Sequence, residues 1–262
     1  MEILFISDIV GDPGRRAVAA HLPAVREKYG VHAVIANGEN AAGGFGITPK
    51  IAQELLDMDI DLLTSGNHIW DKKEIYEYLD RTDKLLRPAN FPPGVPGTGS
   101  AVFTASDGTK VGVMNLMGRI FMTPSDCPFR RGKEEAEKVK NLGAEVILVD
   151  FHAEATSEKI ALARYLDGQV SAVVGTHTHV QTSDERLLPG GTAFITDVGM
   201  TGPHDSVIGV TSELAIGRFL TQMPARFDTA KGPGTFEAVI ISADSDTGQA
   251  TGIKRLSLGP NF

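Results

Sequence analysis

ILFISDIVGDPGRRAVAAHLPAVREKYGVHAVIA, from Ile3 to Ala36, decides how the rest of the chain reads. A short apolar run, Ile3–Ser7, leads into an amphipathic stretch, Gly14–Tyr29, and then into a second apolar run, Ala33–Ala36. Pro13 stands where a helix can start and Gly30 where it can stop. Proline's missing N–H is harmless in a first turn, and glycine accepts the left-handed conformation that ends many helices. The stretch is therefore β-α-β, the unit that builds parallel sheets with helices packed outside.

The alternation continues along the chain. Further strand candidates are Leu62–Thr64, Ala101–Thr104, Val111–Asn115, Val146–Asp150, Ala172–Val174, Thr192–Ile195, Phe236–Ser242 and Ala250–Leu258. Further helix candidates are Pro49–Met58, Lys72–Leu79, Lys133–Asn141, Ser157–Leu166 and Ser212–Thr221. The C-terminal part is richer in strands, with a turn signal at Ser245–Gly248. The proline- and glycine-rich run Arg87–Gly99 lies between resuming apolar runs and reads as a surface loop rather than a linker. With 42% hydrophobic residues over 262 positions, one α/β domain spanning 1–262 is expected.

The formal net charge is -8. A general polyanion binder needs a basic face, so nonspecific nucleic-acid binding is disfavoured. A small anionic substrate stays open, because a metal ion can supply positive charge locally. Cys127 is the single cysteine, so no disulfide can form within the chain. That suits a reducing cytoplasm. The N-terminal MEILFISD has neither a basic n-region nor a full apolar h-region, and no stretch is long enough for a transmembrane helix. A soluble cytoplasmic protein without membrane association is the expectation.

The residues just beyond each strand candidate carry the chemistry. Asp8 follows ILFIS; Glu39 and Asn40 follow AVIAN; Asn67 and His68 follow DLLTSG; His152 follows VILVDF; His177 and His179 follow AVVGT. Side chains at the carboxyl ends of parallel strands gather at one sheet edge, where ligands bind. Five strand ends that each deliver a ligand-type side chain are poorly explained as independent accidents. Carboxylates, amide oxygens and neutral imidazoles suit Mn, Fe, Co or Zn, and one cysteine excludes a thiolate site. The set exceeds the needs of one tetrahedral ion; two metals sharing a carboxylate would use it all.

Each of these residues also has a plainer reading. His177 and His179 can belong to a hydrogen-bonded loop, Asp8 can cap the next helix, and Asn67–His68 can form a turn. GDPGRR (Gly11–Arg16) can be a phosphate-binding turn, although it fits no GxGxxG or Walker pattern. Gly43–Gly46 (GGFG) reads as a flexible loop, with admission of substrate as its lesser reading. Arg119 reads as a surface residue, with phosphate contact as the alternative. His204 and Asp205 divide evenly between loop and pocket lining. His21 and His32 read as structural. Cys127 has no basic partner evident in the sequence and reads as inert.

SDIVGD, NGEN, SGNHIWD, FHAE and GTHTH, in this order, resemble the signature blocks of the calcineurin-like binuclear metallophosphoesterases, and most closely their YmdB-like branch, whose members are cyclic-nucleotide phosphodiesterases. Two departures from the broad superfamily match that branch. Ile9–Val10 follow Asp8 where Asp-x-His is usual, and Glu39 stands where a bridging aspartate is usual. The resemblance implies a two-sheet sandwich flanked by helices, in four layers. It implies two divalent metal ions, iron or manganese. Asp8, Glu39, Asn40 and His179 would hold one metal; Glu39, Asn67, His152 and His177 would hold the other. Glu39 would bridge, with Asn40 supplying oxygen in place of the missing histidine. His68, not a ligand, would be the proton donor. The implied reaction is hydrolysis of 2′,3′-cyclic or 3′,5′-cyclic AMP by a hydroxide shared between the metals, and homo-oligomers are common in the family.

Two other functions fit the same residues. One is a phosphomonoesterase or other metallohydrolase. The other is a regulatory metal-binding protein acting on an RNA-processing partner.

Overall fold

The computed structural model describes residues 1–259. Two sheets lie face to face. The first contains β1 (Glu2–Ile6), β2 (Asp8–Ile9), β3 (Ala33–Asn37), β4 (Leu62–Thr64), β11 (Met200–Pro203), β12 (Gly234–Ala243) and β13 (Ala250–Leu258), in the order β2-β11-β12-β1-β3-β4, with β13 also paired to β12. The second contains β5 (Ser100–Thr104), β6 (Lys110–Met117), β7 (Val146–His152), β8 (Ala172–Thr176), β9 (Arg186–Leu187) and β10 (Ala193–Ile195), in the order β5-β6-β7-β8-β10-β9. Strands β1, β3 and β4 run parallel, as do β6, β7, β8 and β10.

Period-two alternation sorts the core into three apolar layers. Leu4 and Ile6 of β1 pack with Val34 and Ala36 of β3 against the outer helices α1 (Gly11–Tyr29), α2 (Pro49–Leu56) and α3 (Ile75–Leu79). Their neighbours Ile3, Phe5, Ala33 and Ile35 point the other way and meet Val111, Val113, Leu148 and Val174 of the second sheet. On that sheet's far face, Met114, Leu116, Val149 and Val173 pack against α4 (Pro128–Asn141) and α5 (Thr156–Tyr165). Each fully buried aliphatic side chain contributes about 1.5–3 kcal/mol relative to exposure. The result is the expected four-layer α/β sandwich.

Several boundaries differ from the sequence expectation. α1 starts at Gly11, not Gly14, and its N-cap is Val10, so Asp8 does not cap it. Gly30 ends it in the left-handed conformation (φ 60°), as expected. α3 is shorter than Lys72–Leu79. α4 starts at Pro128 rather than Lys133, because a proline in the first turn can open a helix. β2, β9 and β11 carry too few residues for a periodic signal to mark them. The sixth helix, α6, spans Ser212–Thr221. Among the described residues no helix is long and apolar enough to cross a membrane.

Candidate active site

The carboxyl ends of β1, β3, β4, β7 and β8 open onto one edge, and every candidate ligand lies there. Four polar groups crowd together. His152 Nε2 lies 3.1 Å from Glu39 Oε1, 2.9 Å from Asn67 Oδ1 and 3.0 Å from His177 Nδ1. The ligand atoms of Glu39, His152 and His177 all lie within 4.8 Å of one another. Asn40 Nδ2 donates to the same oxygen, Glu39 Oε1 (3.1 Å), and lies 3.3 Å from His179 Nε2. Glu39 Oε2 accepts from the His68 N–H at 3.2 Å, so the one carboxylate touches the His152 group, the Asn40–His179 group and the His68 turn. Asp8 Oδ2 accepts from the His177 N–H at 3.0 Å.

Each imidazole has one nitrogen tied away from this cluster by an acceptor, which fixes its tautomer. His152 Nδ1 donates to Thr176 Oγ1 (3.0 Å), whose own hydroxyl donates to Asp150 Oδ1 (2.7 Å). His177 Nε2 meets Glu154 Oε2 at 3.2 Å. His179 Nδ1 donates to the Ile208 carbonyl at 2.9 Å. His68 Nδ1 donates to Asp71 Oδ2 at 2.9 Å. The opposite nitrogens of His152, His177 and His179 are the ones turned toward Glu39, Asn67 and Asn40.

Buried Asp150 binds these strand ends together. It accepts from Asn37 Nδ2 (2.9 Å), Thr64 Oγ1 (2.5 Å) and Thr176 Oγ1 (2.7 Å), and Asn37 Oδ1 in turn accepts from the Glu39 N–H at 3.1 Å. Burial pushes the Asp150 carboxyl up to about 6. Burial also raises Asp8, against the pull of His179 and His152. At Glu39 burial acts upward, but His152 and His68 outweigh it and hold the carboxyl at about 2. At His152 burial acts downward, but Glu39, Asp8 and Asp150 outweigh it and raise the imidazole to about 9. Burial and the neighbouring His152 lower His177 to about 3. The cluster's field thus favours positive charge beside Glu39.

Divalent cations suit this donor set. Asp8 Oδ1 and Asn40 Oδ1 are buried with no hydrogen-bond partner, and such oxygens are costly unless a cation satisfies them. Carboxylate, amide and imidazole donors around one buried carboxylate form a mixed oxygen–nitrogen set for borderline metals. Asn40 meets Glu39 and His179 through Nδ2, which leaves Oδ1 as its oxygen without a partner.

A cavity of about 310 Å³ lies above the cluster, with His68, His177 and His179 on its floor. His204 and Asp205 are exposed and do not line it. Ile208, Gly209 and Val210 of the same loop do. Gly44 and Phe45 also line it. The Gly43–Gly46 segment forms a tight turn, with the Ala42 N–H donating to the Gly46 carbonyl at 2.9 Å. Arg119 is not on the cavity; its backbone N–H donates to Glu158 at 3.1 Å. Cys127 does have basic neighbours, Arg119 and Arg130, that its sequence context does not reveal. Burial raises its thiol, but the Arg130 and Phe129 N–H groups and the charges of Arg119 and Arg130 lower it on balance. Those partners come together only when α4 starts at Pro128. His32 Nδ1 accepts from the Glu2 N–H at 2.9 Å, and His21 is buried in α1.

Sequence reasoning missed the anchors: Asp71, Asp150, Glu154, Thr176, Lys159 and Asp197. Asp71, Glu154 and Thr176 did carry a signal, since they sit inside the SGNHIWD, FHAE and GTHTH blocks. Phe45 lies in the GGFG run and Ile208 in the loop of His204 and Asp205, both weighed for a role at the pocket; Phe227, also on the cavity wall, carried no signal.

A model of the YmdB-like protein family matches residues 4–256. The chain is 51% identical over 257 residues to a Bacillus subtilis (strain 168) protein named 2′,3′-cyclic-nucleotide 2′-phosphodiesterase, a match covering 98% of this chain and 96% of that one. It superposes on the crystal structure of a hypothetical protein from Thermus thermophilus with a TM-score of 0.92 at 45% identity, covering 99% of this chain and 100% of that chain. It also superposes on the crystal structure of a novel phosphatase from Mycoplasma pneumoniae with a TM-score of 0.91 at 32% identity, covering 100% of this chain and 95% of that chain. Across nearly its whole length, then, the chain belongs to the YmdB-like family and is a hydrolytic enzyme of the metallophosphoesterase fold.

Proposed function

We propose that this enzyme is a metal-dependent phosphodiesterase for small cyclic nucleotides, with 2′,3′-cyclic AMP as its first substrate and 3′,5′-cyclic AMP as the comparison. One observation carries the reading. His152 Nε2, His177 Nδ1, Asn67 Oδ1 and Glu39 Oε1 converge at the base of the cavity, while the outward nitrogens of both imidazoles are held by Thr176 and Glu154. The name of the Bacillus subtilis relative supports the substrate class.

Glu39, Asn67, His152 and His177 would hold one cation; Asp8, Glu39, Asn40 and His179 would hold the second. Iron or manganese fits this mixed oxygen–nitrogen set. Such cations supply Lewis-acid charge for the phosphate oxygens and make water at the site more acidic. The chain's own residues do the rest. Glu39 joins the two halves. Asp71 accepts from His68 Nδ1 and orients the ring; as an imidazolium, His68 would give its Nε2 proton to the departing ribose oxygen and keep the Nδ1 proton, a role typically worth about 10²–10⁴-fold in rate. The interleaved sheets support reading the chain as one domain. The single cysteine supports a cytoplasmic setting.

The test is turnover of 2′,3′-cyclic AMP by chelator-stripped protein, before and after Mn²⁺ or Fe²⁺ is restored. Turnover that returns only with metal, and that Glu39→Gln abolishes, is expected. Full turnover by Glu39→Gln at normal metal content would overturn the site. Phosphomonoester cleavage outpacing diester cleavage would overturn the substrate class.

A further inference from the structure

The cavity has two unlike sides. Its floor is the polar cluster, and its wall is apolar, made by Val10, Phe45, Ile208, Val210 and Phe227. None of the described lining residues is lysine or arginine, and Glu39 and Glu154 both face the space. Its volume, about 310 Å³, lies at the small end of small-molecule sites. A phosphodiester carries one negative charge, whereas a phosphomonoester carries about two near neutral pH. One cationic side chain, Arg218, lies against the Phe227 ring (5.1 Å to its centroid) and not on the lining, so within the cavity the second charge would meet only the cations that the polar floor holds.

We infer that the apolar wall is a nucleobase subsite, built from Phe45, Phe227 and Ile208, which selects one nucleotide carrying a singly charged cyclic phosphate. This rests on the phosphodiesterase reading and specifies which part of the substrate the wall holds.

Phe45 is placed for the task. Its ring lies edge-on to His68, with centroids 5.1 Å apart and planes at 69°. A base against Phe45 therefore sits beside the proton donor. The turn that presents Phe45 comes directly after Glu39 and Asn40 and takes positive φ at Gly43, Gly44 and Gly46. A Cβ at Gly44 would strike Thr229 Oγ1, so the turn passes Thr229 with room for glycine alone.

Ile208 supplies a second, independent observation. Its φ is +47°, a conformation that β-branched residues rarely adopt, and it is 52% exposed. Strain of this kind persists where surrounding structure holds it, and it gathers at functional sites. Here the Ile208 carbonyl fixes His179 while its side chain lines the cavity. One strained residue thus ties the apolar wall to a metal-ligand imidazole. An aromatic wall of this kind suits a base, since every nucleobase presents a π-face.

The test compares Phe45→Ala and Phe227→Ala with the parent protein, all full-length and metal-loaded, on 2′,3′-cyclic AMP and on base-free ribose 2′,3′-cyclic phosphate. The ratio of kcat/KM between the two substrates should fall about ten-fold in each variant, as expected for loss of one aromatic contact with a base. Saturation-transfer NMR with adenosine should show stronger transfer to the base protons than to the ribose protons, weakened in both variants. An unchanged kcat/KM ratio, or adenosine signals that the variants leave intact, would overturn the subsite. If neither cyclic phosphate turns over, yet adenosine binds and the variants weaken it, the subsite stands and the phosphodiesterase reading fails.

Discussion

Lys159 Nζ and Asp197 Oδ2 lie 2.7 Å apart, both closed off from solvent, behind the turn that carries His177 and His179. Asp197 Oδ2 also accepts from the Thr178 N–H (3.1 Å) and the Thr178 hydroxyl (2.6 Å). Thr178 is the residue between the two histidines, and both histidines have positive φ, 96° and 63°. Such residues cost about 1–3 kcal/mol each and need surroundings that enforce them. The ion pair is that enforcement. Lys159→Met leaves the Asp197 carboxylate buried without its cation. The expected loss is about 3–5 kcal/mol of folding stability. A urea denaturation midpoint checks it, and a change within the scatter of ordinary surface substitutions would count against a sealed pair.

Glu154 holds His177 from the solvent side. It is 48% exposed, so its charge matters less than its role as acceptor for His177 Nε2. Removing such an outer partner typically weakens metal binding about 10–100-fold. Glu154→Ala is expected at the low end, and Glu154→Gln, whose amide oxygen still accepts, should recover most of the loss. Competition for Mn²⁺ against a fluorescent chelator separates the two variants. Equal weakening by both would mean that charge, not tautomer, is the contribution.

The outline of the sandwich was legible because its central strands are short apolar runs that end in ligand-type residues. Asp8, Glu39, Asn67, His152 and His177 could be placed at one edge for that reason alone. Strand β12 could not be placed. Its sequence marks a strand in the strand-rich C-terminal part and no partner, yet it enters between β1 and β11, pairing antiparallel with both. Nothing local specifies a partner so distant in sequence, as Ile3 is from Ile241; burial on both faces does. Asp150 and Lys159 were invisible for a related reason. A carboxylate in an apolar strand and a lysine on a helix acquire meaning only from groups on other elements, Thr64 and Thr176 in one case and Asp197 in the other. The left-handed backbone at His177, His179 and Ile208 leaves no trace in residue type, because none of the three is glycine.

Asp184 gives a pH dependence away from the metal cluster. Burial raises its carboxyl, but hydrogen bonds from the Thr196 and Thr182 hydroxyls, the Thr196 N–H and Arg186 outweigh it, and the net shift is downward. A carboxyl lowered on folding adds stability above its unfolded value of about 3.9, and loses it as pH falls toward the folded value. Asp184→Asn should therefore be less stable than the parent at pH 7, and the gap should narrow only below about pH 4. Chemical denaturation of the two proteins across that range measures the gap. A gap that widens on acidification would reverse the assigned sign.

Gly66, between β4 and Asn67, offers the most local probe of the cluster. A Cβ there would overlap both the His152 ring and the Glu39 carboxylate, the two groups that converge at the centre of the site. Its φ lies outside the left-handed region, so the overlap with His152 and Glu39 is the main obstacle to alanine. Overpacking of this kind typically costs about 1–3 kcal/mol, too little to unfold an average domain. Gly66→Ala should therefore fold, with a modestly lower Tm, while Glu39 and His152 are pushed apart. Metal content by mass spectrometry should fall below one ion per chain, and cyclic-nucleotide turnover should fall with it, by about 10²-fold or more given how steeply rate depends on placement near 1 Å. A folded Gly66→Ala protein that retains two ions and parental turnover would remove Glu39 and His152 from the metal site, and with them the assignment of the whole edge.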